Sequence, residues 1–206
     1  MRVGMDHIKI IYLRKMVKPE ILGGRLGNKM FQLAYLYAQV KDGVIPDWYV
    51  QDIKYFEKYT DQIKQLFGEG IGFLDYVAVH LRVAGNPINS TEPKYSDNPF
   101  YVNLAKTGYY IDATNLFQGR KFLVFSDDME FAKTYFEGSK FYFDNSENEI
   151  EALNKMASCD GHIIANSSFS WWGAFLSPHH GRVLYPKLWF TDGVKRVGCP
   201  QDWLAV

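Results

Sequence analysis

Four clusters of polar residues in this chain carry side chains able to act on a phosphorylated ligand, and each follows directly on a short apolar run. Arg82 closes the run YVAVHLR at 76–82. Its planar guanidinium offers five N–H donors in a fork that matches phosphate, although pairing to a carboxylate at the surface is the commoner fate of an arginine. His80, two residues earlier, shares the strand face of Arg82, either beside it or packed behind it as a satisfied core histidine. In KFLVFSDD at 121–128, Asp127 and Asp128 are adjacent carboxylates suited to a metal, the edge of a base or ribose hydroxyls. Neighbours on a strand point to opposite faces, so one shared metal is not implied. Ser126 or Asp127 can also cap a helix expected to begin near Met129.

The string NSSFSWWGAFL at 166–176 sets Asn166, Ser167 and Ser168 before a short helix, where hydroxyls and free N–H groups hold phosphate. Trp171 and Trp172 read as core packing rather than sugar-stacking platforms. GGRLGNKMFQ at 23–32 places Gly24 and Gly27 at a strand-to-helix turn, where the missing Cβ lets backbone N–H groups approach an anion. It is neither GxGxxG nor a Walker loop, and Asn28 serves equally well as the N-cap of the helix that follows.

These clusters need a scaffold that brings them together. The runs Glu20-Ile21-Leu22, 76–82, 121–128, 161–168 and RVLYP at 182–186 are β-rich and end abruptly. The middle three lack strict alternation, as expected of strands buried on both faces of a parallel sheet. Between them, Met30, Leu33, Ala34, Tyr37 and Ala38, and then Ile150, Leu153 and Met156, recur at helical spacing. Alternating strand and helix predicts an α/β fold whose ligands bind beyond the strands' carboxyl ends, where Arg82, Asp127 and Asn166 lie. Three prolines in 85–108 mark a long binding loop or lid, and GEGIG at 68–72 marks a hinge.

Composition narrows the partners. With 206 residues, 47% hydrophobic and 17% aromatic, the chain has enough apolar surface for a conventional core and is not disordered. Its 23 Lys+Arg balance 23 Asp+Glu, so no long-range field favours nucleic acid or an anionic membrane, and any bound anion must meet local charge. Cys159 and Cys199 are too few for a disulfide scaffold and lack zinc spacing. MRVGMDHIKIIYLRKM reads as neither signal peptide nor anchor, and no other stretch approaches a membrane span, so a soluble, cytoplasmic protein is expected.

At NSSFSWWGA, preceded by Met156, Cys159, His162, Ile163 and Ile164, the chain resembles the closing signature of the α-1,2-fucosyltransferases, the family eleven glycosyltransferases. GGRLGNKMFQLA is similar to that family's GGLGNQMFQYA opening, and YVQDIKYF at 49–56 to its GYFQSEKYF stretch. VAVHLR resembles the start of HxRRGDY, Tyr109, Tyr110 and Ala113 its YYxxA helix, and KFLVFSDDMEFAK its FSDDxxW segment. YPKLWF and CPQDWLAV complete an ordered series over roughly 20–206.

The resemblance implies a shortened GT-B-like enzyme, a Rossmann-type parallel sheet with a reduced N-terminal lobe, that transfers fucose from GDP-fucose with inversion, without metal or other cofactor. Residues 1–72 would form the acceptor-side lobe with the glycine-rich loop, and 73–206 the nucleotide-sugar-binding lobe. Arg82 would neutralise the pyrophosphate. Ser126, Asp127, Asp128, Asn166, Ser167 and Ser168 would line the nucleotide pocket, and Gly24, Gly27 and Asn28 would reach the donor from the other lobe. Arg82, His80 and Asp127 are the expected catalytic set, with Glu92 and Asp97 as other candidate bases. A galactosyl-type hydroxyl is the expected acceptor. The chain departs from the pattern at Val83, Ala84, Gly85 and Asn86 after Arg82, at Phe131 and at Ala152, where the family has an aspartate. Only nine residues separate Ala38 from Trp48, where members of the family carry a much longer stretch. A weak or inactive nucleotide-sugar-binding homologue, or a transferase using another GDP-sugar, is the competing reading.

Overall fold

The computed structural model describes residues 25–42, 51–68, 70, 72–83, 98–179, 181–194 and 197–206. Residues Glu20-Ile21-Leu22, Gly24, Trp48, Glu69 and Ile71 of the expected hinge, and 84–97 of the expected loop, with Glu92 and Asp97, lie outside them. In chain order the helices are α1 (Leu26–Asp42), α2 (Thr60–Phe67), α3 (Tyr109–Asn115), α4 (Met129–Tyr135), α5 (Glu149–Ala157) and α6 (Ser168–Phe175). The strands are β1 (Leu74–Leu81), β2 (Phe122–Ser126), β3 (Phe141–Phe143), β4 (Cys159–Ile163), β5 (Val183–Tyr185) and β6 (Leu204–Ala205).

All six strands run parallel in the order β3-β2-β1-β4-β5-β6. This is a Rossmann-type α/β fold, with the chain changing direction between β1 and β4, where doubly wound sheets open a crevice for ligands. The register aligns Leu81 with Ser126 and Val79 with Ile163, so the polar segments after β1, β2 and β4 emerge side by side. The last five residues of β1 are buried, which explains why VAVHL shows no polar alternation. Val77, Val79, Leu81 and Val83 face a core with Tyr109, Tyr110 and Ala113 of α3. Ala78 turns the other way, toward Met156 of α5.

On that second side Trp171 and Trp172 are fully buried, in keeping with their reading as core. Phe31 sits 4.5 Å and 5.0 Å from their rings, Phe56 stacks on Trp172 at 5.7 Å, and the Trp171 indole N–H donates to the Gly198 carbonyl at 3.0 Å. This aromatic cluster rotates the buried stripe of α1: Phe31 and Tyr35 are buried while Leu33 and Tyr37, expected inside, are only half-buried. In α5, Ile150 is exposed and Ala157 takes its place beside Leu153 and Met156. The cause is packing against α6, where the Met156 side chain fills the space that a Cβ on Gly173 would occupy. Strands β3 and β6 escaped the sequence reading because they span only three and two residues.

Two capping expectations are also corrected. Helix α4 is capped by Asp128, whose carboxylate accepts from the Phe131 N–H at 3.0 Å, and not by Ser126 or Asp127. Asn28 lies inside the first turn of α1, because that helix already begins at Leu26.

Candidate functional site

A cavity of about 860 Å³ opens over the carboxyl ends of β1, β2 and β4. Arg25, Gly27 and Asn28 line it from the head of α1, His80 and Arg82 from the end of β1 and just beyond it, Ser126 and Asp127 likewise from the end of β2, and Asn166, Ser167 and Ser168 from the β4–α6 junction. Apart from Asp128, which caps α4, the described residues singled out in the sequence are therefore brought to one place.

Their bonding separates those that shape the site from those open to a ligand. Ser126 Oγ donates to the Leu81 carbonyl at 2.9 Å and accepts from the Asp128 N–H at 3.1 Å, tying β2 to β1. The Asn166 amide donates to the carbonyls of Val102 (2.9 Å) and Trp189 (3.0 Å), fixing two loops at the rim. Asp127 forms an ion pair with Arg82 and accepts from the Val83 N–H at 3.0 Å. With the side chains of Arg82 and Asp127 only 11% and 14% exposed, water screens this pair little, and the carboxylate fixes the guanidinium at the cavity wall.

Helices α1 and α6 meet end to end here. A Cβ on Gly27 would stand 2.6 Å from the Ser168 carbonyl carbon and 2.7 Å from the Phe169 nitrogen, so only glycine permits the approach. The glycine thus accommodates a second helix, where the sequence had suggested an approaching anion. Ser168 Oγ donates to Asn28 Oδ1 at 2.6 Å, and the Gln51 amide donates to the same oxygen at 2.9 Å. Two helix N-termini, each carrying unsatisfied N–H groups and partial positive charge, consequently border one cavity.

His80 is 5% exposed and its Nδ1 has no hydrogen-bond partner. Burial first, then the charges of Arg82 and Arg25, push its pKa down to about 3. The ring is neutral at any ordinary pH and carries no positive charge into the cavity. Burial first and Tyr135 second raise the phenol of Tyr110, which donates to the His80 carbonyl at 2.7 Å and supports the strand end from below. Cys159 is buried and its thiol is pushed up to about 12, above all by desolvation, which leaves it unreactive.

The sequence reading passed over several lining residues. Arg25 stands inside GGRLGN, where the glycines carry the sequence signal. Asp144, Ser146, Asn148 and Glu149 line the far end after β3, in the same pattern of apolar run followed by polar cluster, FYF then DNSENE. Tyr101, Trp189 and Phe190 close the remaining side, with Tyr101 and Phe190 joined by an antiparallel bridge. Among the described residues no three His, Cys, Asp or Glu side chains converge as a metal site, and no helix is long and apolar enough to cross a membrane.

Comparison with known proteins bears on this site. The model of glycosyl transferase family 11 matches residues 47–197. The chain is 29% identical over 186 residues to the O-antigen biosynthesis glycosyltransferase WbnK of Escherichia coli, covering 81% of this chain and 62% of that protein. It is 30% identical over 182 residues to an α-1,2-colitosyltransferase of Escherichia coli, covering 76% of this chain and 60% of the relative. The chain thus spans about three fifths of the length of these curated relatives. No solved structure matches it.

Proposed function

The chain belongs to glycosyl transferase family 11, and from that footing we propose that it transfers fucose from GDP-fucose to a galactosyl-type hydroxyl, with inversion, in α-1,2 linkage. The observation that carries the reading is the convergence of Arg82 with the N-termini of α1 and α6 at the β1–β4 crevice. That is the place and the charge that a nucleotide-sugar diphosphate requires.

The acceptor hydroxyl oxygen attacks the anomeric carbon as the bond from that carbon to the distal phosphate oxygen breaks. The electron pair stays on the departing GDP, and the acceptor proton leaves to a base. Charge developing on the phosphate is met by the Arg82 guanidinium and by N–H groups at the start of α6, which are fixed before the reaction and so favour the transition state. Of the carboxylates considered as base, Asp127 is engaged with Arg82, so its part in this scheme is to orient the guanidinium. Neutral His80 offers a ring N–H. We read residues 1–72 as the reduced acceptor-side lobe and 73–206 as the donor-binding one. Catalysis needs no metal in this scheme because arginine and helix termini meet the leaving charge, and a cytoplasmic setting suits a nucleotide-sugar donor.

A second donor sugar has specific support, since one relative is named a colitosyltransferase. Release of free GDP from GDP-fucose, GDP-mannose and GDP-glucose, with and without galactosyl acceptors, tests both readings. Fastest release from GDP-fucose, raised further by a galactoside, is the expected outcome. Release from none of the donors would leave a binding homologue without transfer activity.

A further inference from the structure

We propose that Arg25 supplies the second cation for the donor diphosphate, acting from the head of α1 opposite Arg82. The proposal rests on the donor-site reading above and assigns a residue that the sequence patterns did not single out.

Charge accounting leads to it. The positive charge of Arg82 is already matched by the Asp127 carboxylate, so Arg82 contributes directed N–H donors more than net charge. The next residue in the chain, Val83, is apolar, 6% exposed and packed in the core with Leu81, so the strand end provides no further cation. A sugar diphosphate brings one negative charge on each phosphate, and the distal phosphate gains another as its bond to the sugar breaks. Helix N-termini offset only part of this, each being equivalent to roughly half an elementary charge.

Arg25 directly precedes the first residue of α1 and lines the cavity. Among the described residues no carboxylate pairs with it. The close contact of Gly27 with Ser168 holds the head of α1 against that of α6, which places a cation at the junction of the two helix termini. His80 is an independent marker of the same spot. It is almost wholly buried, lines the cavity and has an unpartnered ring nitrogen, and both Arg82 and Arg25 act on its ring after burial has done most to suppress its charge. A neutral imidazole that shares a cavity with two cations suits an anion that takes one more hydrogen bond there.

Calorimetric titration of the full chain with GDP and with GMP tests this, using wild type, Arg25→Ala and Arg25→Lys with melting curves for each. Loss of a charge-assisted phosphate contact should weaken GDP binding in Arg25→Ala by about tenfold or more. GMP, which lacks the second phosphate, should weaken by less than about threefold, and Arg25→Lys, which keeps the charge, should recover most of the GDP affinity. Wild-type GDP affinity in Arg25→Ala would overturn the proposal while leaving the donor site standing. Equal losses of GDP and GMP, or no recovery in Arg25→Lys at an unchanged melting temperature, would also overturn it. If wild type binds neither nucleotide, the donor-site reading itself fails, a distinguishable result.

Discussion

The two ends of the cavity differ in charge and in how firmly they are held. At the α1–α6 end, Arg25, Arg82 and two helix N-termini gather positive charge, and hydrogen bonds among Asn28, Gln51, Ser168, Asp127 and Val83 tie the wall together. At the β3–α5 end the charged lining residues are Asp144 and Glu149, and the Asp144 carboxylate is already taken by Lys155 at 3.2 Å and by Ser146 Oγ at 2.8 Å. A cavity so polarised suits a ligand with phosphates at one end and N–H donors at the other, as a guanine nucleotide has. The positive end should dominate binding energy and catalysis, because buried, preorganised charge outweighs an exposed carboxylate.

The most severe way to break this asymmetry is Arg82→Ala. On the donor-site reading, removing this guanidinium is expected to lower kcat/KM by about 2 to 4 kcal/mol of transition-state stabilisation, and Arg82→Lys should not restore it, because an ammonium cannot reproduce the fork held by Asp127. Steady-state GDP release measures both variants. Next in size is Gly27→Ala. A Cβ 2.6 Å from the Ser168 backbone must force the helices apart, so a loss of about 2 kcal/mol in stability by urea denaturation is expected, together with weakened GDP binding.

A pH effect follows from the buried histidines. His80 is pushed to about 3 and His162 to about 4, in both cases chiefly by burial, while unfolded histidine titrates near its ordinary value of 6.5. The unfolded chain therefore binds more protons below pH 6.5, and stability contributed by the neutral rings is lost as pH falls from about 6.5 toward 3 to 4. Denaturant melts across that range should show the decline, on the order of a few kcal/mol, and His162→Gln should flatten it if the variant folds. The smallest change is expected at the acidic end. Glu149→Gln should lower GDP affinity by about threefold and leave pyrophosphate binding untouched, as suits an exposed hydrogen-bond acceptor.

How far the sequence disclosed this arrangement depends on the physical range of each signal. Strands β1 and β2 are legible because burial on both faces leaves a nearly continuous apolar run, β4 only through the apolar Ile163, Ile164 and Ala165 at its end, and Trp171 and Trp172 as core because such large rings are costly to expose. The rotation of α1 about Phe31 is not, since it is set by rings some 140 residues away in the chain. Asp128 and Asp127 divided their roles by a one-residue difference in where α4 begins, and local propensity does not resolve that. Gly27 signals close backbone approach in the sequence, but the neighbour is another helix. Arg25 is not legible as a site residue because its proposed role comes from what Asp127 does to Arg82, a tertiary pairing that no local string records.

The central claim is that the donor diphosphate lies at the α1–α6 end of the cavity, and a crystal structure of the chain with GDP tests it most directly. The account predicts density for both phosphates within hydrogen-bonding distance of the Arg82 guanidinium and the first N–H groups of α6, with the base toward Glu149. Density with the base beside Arg82, or with GDP bound outside the cavity, would contradict it.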